Sequence, residues 1–276
     1  MTAPRYRLEE VTSSRGAMFD HAYAALAAEF GPPGELERRE VIARWLDAQS
    51  SYHLLIARDE QGEMAAVRDC HVLVDAAAKI VVVYLAHVLV LPPYRRTGLG
   101  ALLRGAPIAL ARKALHRAGL DAASVDILIA AEMEHPEAGD AASLVRLVVY
   151  GKEGFAAIDP AELPYFQPDF RDLRALPPGT LPSPVPLLAV VRWLGHEDAV
   201  ALPARLGRAF VRQLYAVFGT HVPREHLAAL EAETLGVLTR SRGEDALTLV
   251  PLPRSVGEPP DLHLAASRRT APPPGS

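Results

Sequence analysis

The chain has 276 residues, 50% of them apolar and 22% charged, with a net charge of −4. That is ample for a sizeable core and too little positive charge for a chain-wide nucleic-acid field. The single cysteine, Cys70, excludes an internal disulfide and favours a reducing compartment. With no signal-peptide apolar region and no run of about 18 apolar residues, a soluble cytoplasmic protein with no nucleic-acid or membrane partner is expected.

The first strand falls on "RYRLEEVT". Thr12, Ser13 or Ser14 offers a cap for the helix "GAMFDHAYAALAAEF", which "GPPG" (31–34) stops. "ELERREVIARWLDA" sets Val41, Ile42, Trp45 and Leu46 on one face of a second helix. Two strands follow, "YHLLIARD" and "AAVRDCHVLVD", in which Cys70 reads as a small core residue. "KIVVVYLAHVLVL" is apolar almost throughout, which predicts a strand covered on both faces. After the loop that ends it comes a helix, "GALLRGAPIALARKALHRAG", with a kink or break expected at Pro107. The strand "VDILIAAEME" and the helix "GDAASLVRLVVYGKEG" lead to a further strand, "FAAID".

Beyond Phe170 the composition shifts. A proline-rich connector, residues 176–186, precedes the strand "LLAVVRWL". Leu202, Leu206, Phe210, Leu214 and Val217 recur at helical spacing, with Arg205, Arg208 and Arg212 on the solvated face. "REHLAALEAETLG" adds a helix, "DALTLVPLP" a strand, and residues 267–276 a mobile tail. The expected division is 1–195, a mixed α/β domain, and 196–276, a mainly helical extension.

The stretch "VLVLPPYRRTGLGALL", residues 88–103, joins a buried strand to a helix through two prolines, two arginines and two glycines. It is no Walker loop, because no glycine–lysine–hydroxyl run is present. As a dinucleotide fingerprint it is weak, since Leu103 stands where the third glycine belongs. What remains is Arg95-Arg96-Thr97-Gly98-Leu99-Gly100 at a helix N-terminus, where outward amides, the dipole and guanidinium groups suit a phosphate. The competing interpretation is a tight turn with surface arginines.

This stretch resembles the acyl-CoA-binding motif of the GNAT superfamily of N-acetyltransferases, hydrophobic-x-Pro-x-Tyr-Arg-x-x-Gly-x-Gly. Downstream, "YGKEGF" (150–155) resembles that family's Tyr-x-x-x-Gly-Phe. The order of elements agrees over about residues 5–195. The resemblance implies a mostly antiparallel sheet of six or seven strands, splayed between the fourth and fifth, with helices on both faces. It implies that main-chain groups of Leu89 and Val90 pair with a pantetheine arm and that residues Arg95, Arg96, Thr97, Gly98, Leu99 and Gly100 hold the pyrophosphate of acetyl-CoA or another acyl-CoA. No metal is implied. Acetyl would pass directly to a small-molecule or protein amine, with Tyr150 as the acid for the leaving thiolate. A homodimer is also allowed.

Departures accompany the match. The fourth-strand glutamate of the histone-modifying branch falls at Tyr84, which leaves Glu132 and Glu134 on the fifth strand and His87 on the fourth as candidate bases. The loop 135–142 is longer than in compact members. The asparagine often found at the next helix start has no counterpart, Ser143 being nearest. A non-catalytic acyl-CoA sensor is therefore the alternative, and a structural partner that kept only the fold is a third. "ELPYFQPDF" (162–170) offers an aromatic wall over the acceptor or a subunit contact.

Overall fold

The computed structural model describes residues 5–31, 35–48, 51–136, 141–170, 183–240 and 246–258. The proline run at 32–34, most of the connector, the loop centre at 137–140 and the tail lie outside them. Contacts divide the chain into two compact units, Met1–Val125 and Asp126–Ser276.

In the first unit, β1 (Arg7–Val11), β2 (Tyr52–Arg58), β3 (Met64–Asp75) and β4 (Ile80–Val90) form an antiparallel sheet in that order. β4 is buried from Ile80 through Leu85, as its apolar run requires. The helices are α1 (Ala17–Phe30), α2 (Arg39–Asp47) and α3 (Leu99–Arg117), and α2 buries Val41, Ile42, Trp45 and Leu46. Two expectations change. Gly16, not a hydroxyl residue, stands at the start of α1, because Ser14 is bonded through its amide and hydroxyl to Asp47 at 2.8 and 2.6 Å. And α3 runs through Pro107 without a break, the proline being buried on its inner side.

β4 carries one irregularity. Arg68 faces Val88 and Cys70 faces Leu85, so β4 has an extra residue opposite Asp69. This bulge at Ala86–His87 lies just before the strand segment of interest.

In the second unit, β5 (Asp126–Met133) pairs antiparallel with β8 (Val185–Trp193), and β8 pairs antiparallel with β6 (Ala156–Ile158). Outside β6 lie β10 (Ala246–Pro251) and β9 (Ala201–Pro203), while β7 (Tyr165–Gln167) pairs with β8. The helices are α4 (Ala141–Gly151), α5 (Ala204–Phe218) and α6 (Arg224–Arg240). α5 buries Leu206, Phe210, Leu214 and Val217 as their spacing demands. The class is the expected mixed, mostly antiparallel α/β, but the described residues of the two units hold ten strands in place of about six or seven. The surplus comes from three-residue strands, too short to show a period, and from β10.

Candidate functional site

β4 ends at Val90, and a 3-10 turn, Pro92–Tyr94, carries the chain to α3. Arg96 (φ 65°) and Gly98 (φ 85°) both take left-handed backbone. Left-handed residues interspersed with ordinary ones turn successive amides to one side, the geometry of an anion nest. Arg95 N–H still reaches the Pro92 carbonyl at 3.3 Å, but among the described residues the amides of 96–100 meet no main-chain acceptor. No side chain caps α3 either. Five amide donors thus sit at or just before the positive end of a 19-residue helix.

The loop is braced from below. Thr97 Oγ1 donates to the Tyr94 carbonyl at 2.7 Å and accepts from the Tyr6 hydroxyl at 2.9 Å. Tyr94 in turn donates to Asp59 Oδ2 at 2.7 Å. Tyr6, Val88, Val90 and Tyr94 pack on Ala57, Ala66, Leu99 and Leu103, so the loop is anchored in core while its amides stay outside. A cavity of about 350 Å³ opens there, lined by Val88, Leu89, Val90, Arg95, Arg96 and Gly100, with Tyr94, Glu29 and Phe30. That volume is in the range of small-ligand clefts. Phe30, which lines the cavity from the end of α1, lies 4.9 Å from the His87 ring.

A phosphate-bearing ligand fits this donor set. Residues 95–100 would hold a pyrophosphate and the segment Leu89–Val90 an extended arm. The Val90 carbonyl accepts from Arg95 Nε at 3.1 Å in this structure, so that group must be released before it can pair with a ligand. Gly98 has open space where a Cβ would stand, and its need for glycine comes from φ alone. At Gly100 a Cβ would meet the Arg104 guanidinium at 3.0 Å, which places a third arginine beside the loop.

His87 is fixed in the core. Its Nδ1 lies 3.1 and 3.2 Å from the two carboxylate oxygens of Asp69, and its Nε2 lies 3.2 Å from the Glu35 carbonyl. Both neighbours accept, so both nitrogens donate, and the ring is an imidazolium. Burial alone would lower its pKa, but the charge and hydrogen bond of Asp69 outweigh this and push it up to about 9. An imidazolium has no lone pair to take a proton from an amine. Tyr84 is buried and stacks on His71 at 6.3 Å. Cys70 is buried too, and burial pushes its thiol up to about 12, out of reach as a neutral-pH nucleophile.

In the second unit, Tyr150 ends α4 with its ring against Phe155 at 4.9 Å, and its hydroxyl has no hydrogen-bond partner among the described residues. Glu132 lies within β5 and accepts from the Tyr165 hydroxyl at 2.5 Å. Glu134 lies one residue past the end of β5 and is ion-paired with Arg146 of α4, both half-exposed. Ser143 is buried in α4. Tyr165 and Phe166 are buried as well, at 2% and 4% exposure. They pack inside this unit, so the segment presents neither ring as an open wall or subunit contact. Among the described residues no cluster suits a metal ion, and no helix is long and apolar enough to cross a membrane.

The element order and the strand–loop–helix are those expected. That order and that loop are what the resemblance to the GNAT superfamily implies. No family model matches the chain, and no curated protein does. Among solved structures, the GCN5-related glucosamine N-acetyltransferase region of a fungal multi-domain GH3 β-N-acetylglucosaminidase is 21% identical at TM-score 0.42. That match covers 58% of this chain, which spans only 18% of the fungal one. A Bacillus subtilis acetyltransferase in complex with CoA is 17% identical at TM-score 0.41, covering 69% of this chain and 99% of that one. A GNAT-family acetyltransferase from Staphylococcus aureus is 13% identical at TM-score 0.39, covering 68% and 99%. At such scores these likenesses carry no argument, and the site rests on the residues above.

Reading the sequence alone missed Glu29, Phe30, Tyr6, Arg104 and Asp69. Only Asp69 carried a signal, as a carboxylate in the middle of a largely apolar strand beside Arg68, matched by His87 in the next.

Proposed function

We propose that the chain is an acetyl-CoA-dependent N-acetyltransferase, another acyl-CoA being the variant, acting on a small-molecule or protein amine. The observation that carries this is the row of unaccepted amides at 96–100, set with Arg95 and Arg96 beside a cavity under β4. Bound acetyl-CoA supplies an activated acetyl thioester, so that a C–N bond forms as the C–S bond breaks. The loop amides and arginines hold the ligand's anionic end, and the β4 segment aligns the rest, so most of the acceleration is positional. Glu132 receives the proton that the amine loses, and Tyr150 gives one to the departing sulfur. Glu134, ion-paired with Arg146, is the other candidate base.

The loop is tested by calorimetric titration with acetyl-CoA. Binding in the micromolar range, weakened about tenfold or more in Arg95→Ala/Arg96→Ala, is expected; no binding at about 100 μM removes the proposal. Thiol release against a panel of amines and peptides, with Tyr150→Phe as the comparison, then tests turnover.

A second reading is an acyl-CoA sensor without turnover. Tyr84 in place of a glutamate, the engaged His87 and the paired Glu134 favour it. Acetyl-CoA binding with no thiol release across the panel would select it.

A further inference from the structure

We propose that Tyr165 and Gln167 are positioning residues for Glu132, and that the segment through α5 serves to hold them. This rests on the acyl-transfer reading above, in which Glu132 meets the acceptor amine. The two donors sit on separate carboxylate oxygens: the Tyr165 hydroxyl on Oε1 at 2.5 Å and Gln167 Nε2 on Oε2 at 3.5 Å. The strand register makes this possible. Glu132 faces Ala189 on β8, whose next residues toward its N-terminus pair with β7, Leu187 with Tyr165 and Val185 with Gln167. A small residue on the middle strand leaves room for side chains of β5 and β7 to meet across it.

Tyr165 is itself clamped by α5. Its ring lies 5.5 Å from Phe210 and 5.9 Å from Tyr215, and the Tyr215 hydroxyl donates to the Phe166 carbonyl at 2.8 Å. The chain of contacts therefore runs from α5 to the β7 main chain, then to the Tyr165 hydroxyl and Glu132. Donors on both oxygens favour the ionised carboxylate and fix its plane, and an ionised, oriented carboxylate is what a cationic amine requires. Among the described residues, the titratable groups near it include Tyr165 from β7 and Tyr215 from α5, and Glu231 of α6 acts in turn on Tyr215; β8 presents Ala189.

The experiment pairs Tyr165→Phe, which keeps the ring and deletes the hydroxyl, with Glu132→Gln. In the full chain, a carbon-13 NMR titration follows the Glu132 carboxyl, identified by its loss in Glu132→Gln. Tyr165→Phe is expected to raise its midpoint by about one pH unit with the melting temperature little changed. The acid limb of kcat/KM for thiol release should move up by the same amount, and Glu132→Gln should remove that limb. A residue that only packs would lower the melting temperature without moving either profile. An unmoved carboxyl midpoint overturns the inference. So does a moved midpoint with thiol release undisturbed in Glu132→Gln; in that case acetyl-CoA binding by calorimetry keeps the acyl-CoA reading alive. Absence of acetyl-CoA binding removes both.

Discussion

Asp69 accepts the His87 amide at 2.6 Å, the His87 ring and the Tyr52 hydroxyl at 3.0 Å, and so holds both the β4 bulge and its charge partner. Burial alone would raise its carboxyl, but His87 and Tyr52 outweigh that and hold it below the usual carboxylate range. Asp69→Asn leaves an imidazolium buried without its counter-charge, and a loss of about 3–5 kcal/mol in urea unfolding is expected. A loss under about 1 kcal/mol would show that the pair does not hold the strand. The pH dependence has a definite sign. His87 is raised when folded, so its contribution is full below pH 6.5 and fades as pH rises through about 9. Asp69 is depressed, so its contribution is present above the ordinary carboxylate value and fades as pH falls through the lowered one. Melting temperature should therefore fall between pH 6.5 and 9 in the wild type, and that slope should flatten in His87→Gln. Arg68 is the opposite case: 1% exposed, with Nε and both terminal nitrogens lacking a hydrogen-bond partner among the described residues. Arg68→Met keeps the length and removes the charge, and a gain of about 1–4 kcal/mol in urea unfolding is expected.

Among the elements, the end of α4 makes an unusually close approach. A Cβ on Gly151 would stand 2.4 Å from the Pro253 carbonyl oxygen and 2.9 Å from that of Leu252. Both are main-chain atoms after β10 and cannot rotate away, so Gly151→Ala must push the two segments apart. A destabilisation of about 1–3 kcal/mol follows, with β10 amides, Leu249 among them, exchanging faster by hydrogen–deuterium measurement. An unchanged protein would mean that residues 252–253 do not pack on the helix. The same helix shows what a sequence can disclose. "YGKEGF" was visible as a helix end because its signal is local, and so was the loop at 95–100, where six consecutive residues carry the chemistry. α5 announced itself by period. The partners of Glu132 did not, because Tyr165 lies 33 residues away on a three-residue strand without pattern. Glu29 and Phe30 were equally silent, since nothing in an alanine-rich helix marks which turn borders a cavity.

At the scale of the molecule, the contacts of the chain from Asp126 onward gather into one unit, which takes in the segment beyond residue 195. The reason lies in what the later segments cover. Leu206, Phe210, Val211, Leu214 and Phe218 of α5 are fully buried, and β10 supplies the neighbour of β6. Each of those side chains contributes about 1.5–3 kcal/mol by leaving water, on the order of 10 kcal/mol together, which is comparable with the whole stability of an ordinary domain. Removing the segment also uncovers the aromatic face on which Tyr165 rests. A chain ended after Gly195 should therefore fail to keep its second unit folded. Limited trypsin digestion with mass spectrometry should find rapid cleavage at Arg146 and Arg192, both within or beside elements that the full chain protects. If the shortened chain instead stays soluble, resists trypsin at both sites and melts like the full protein, residues 196–276 are an appendage and α5 holds nothing in place.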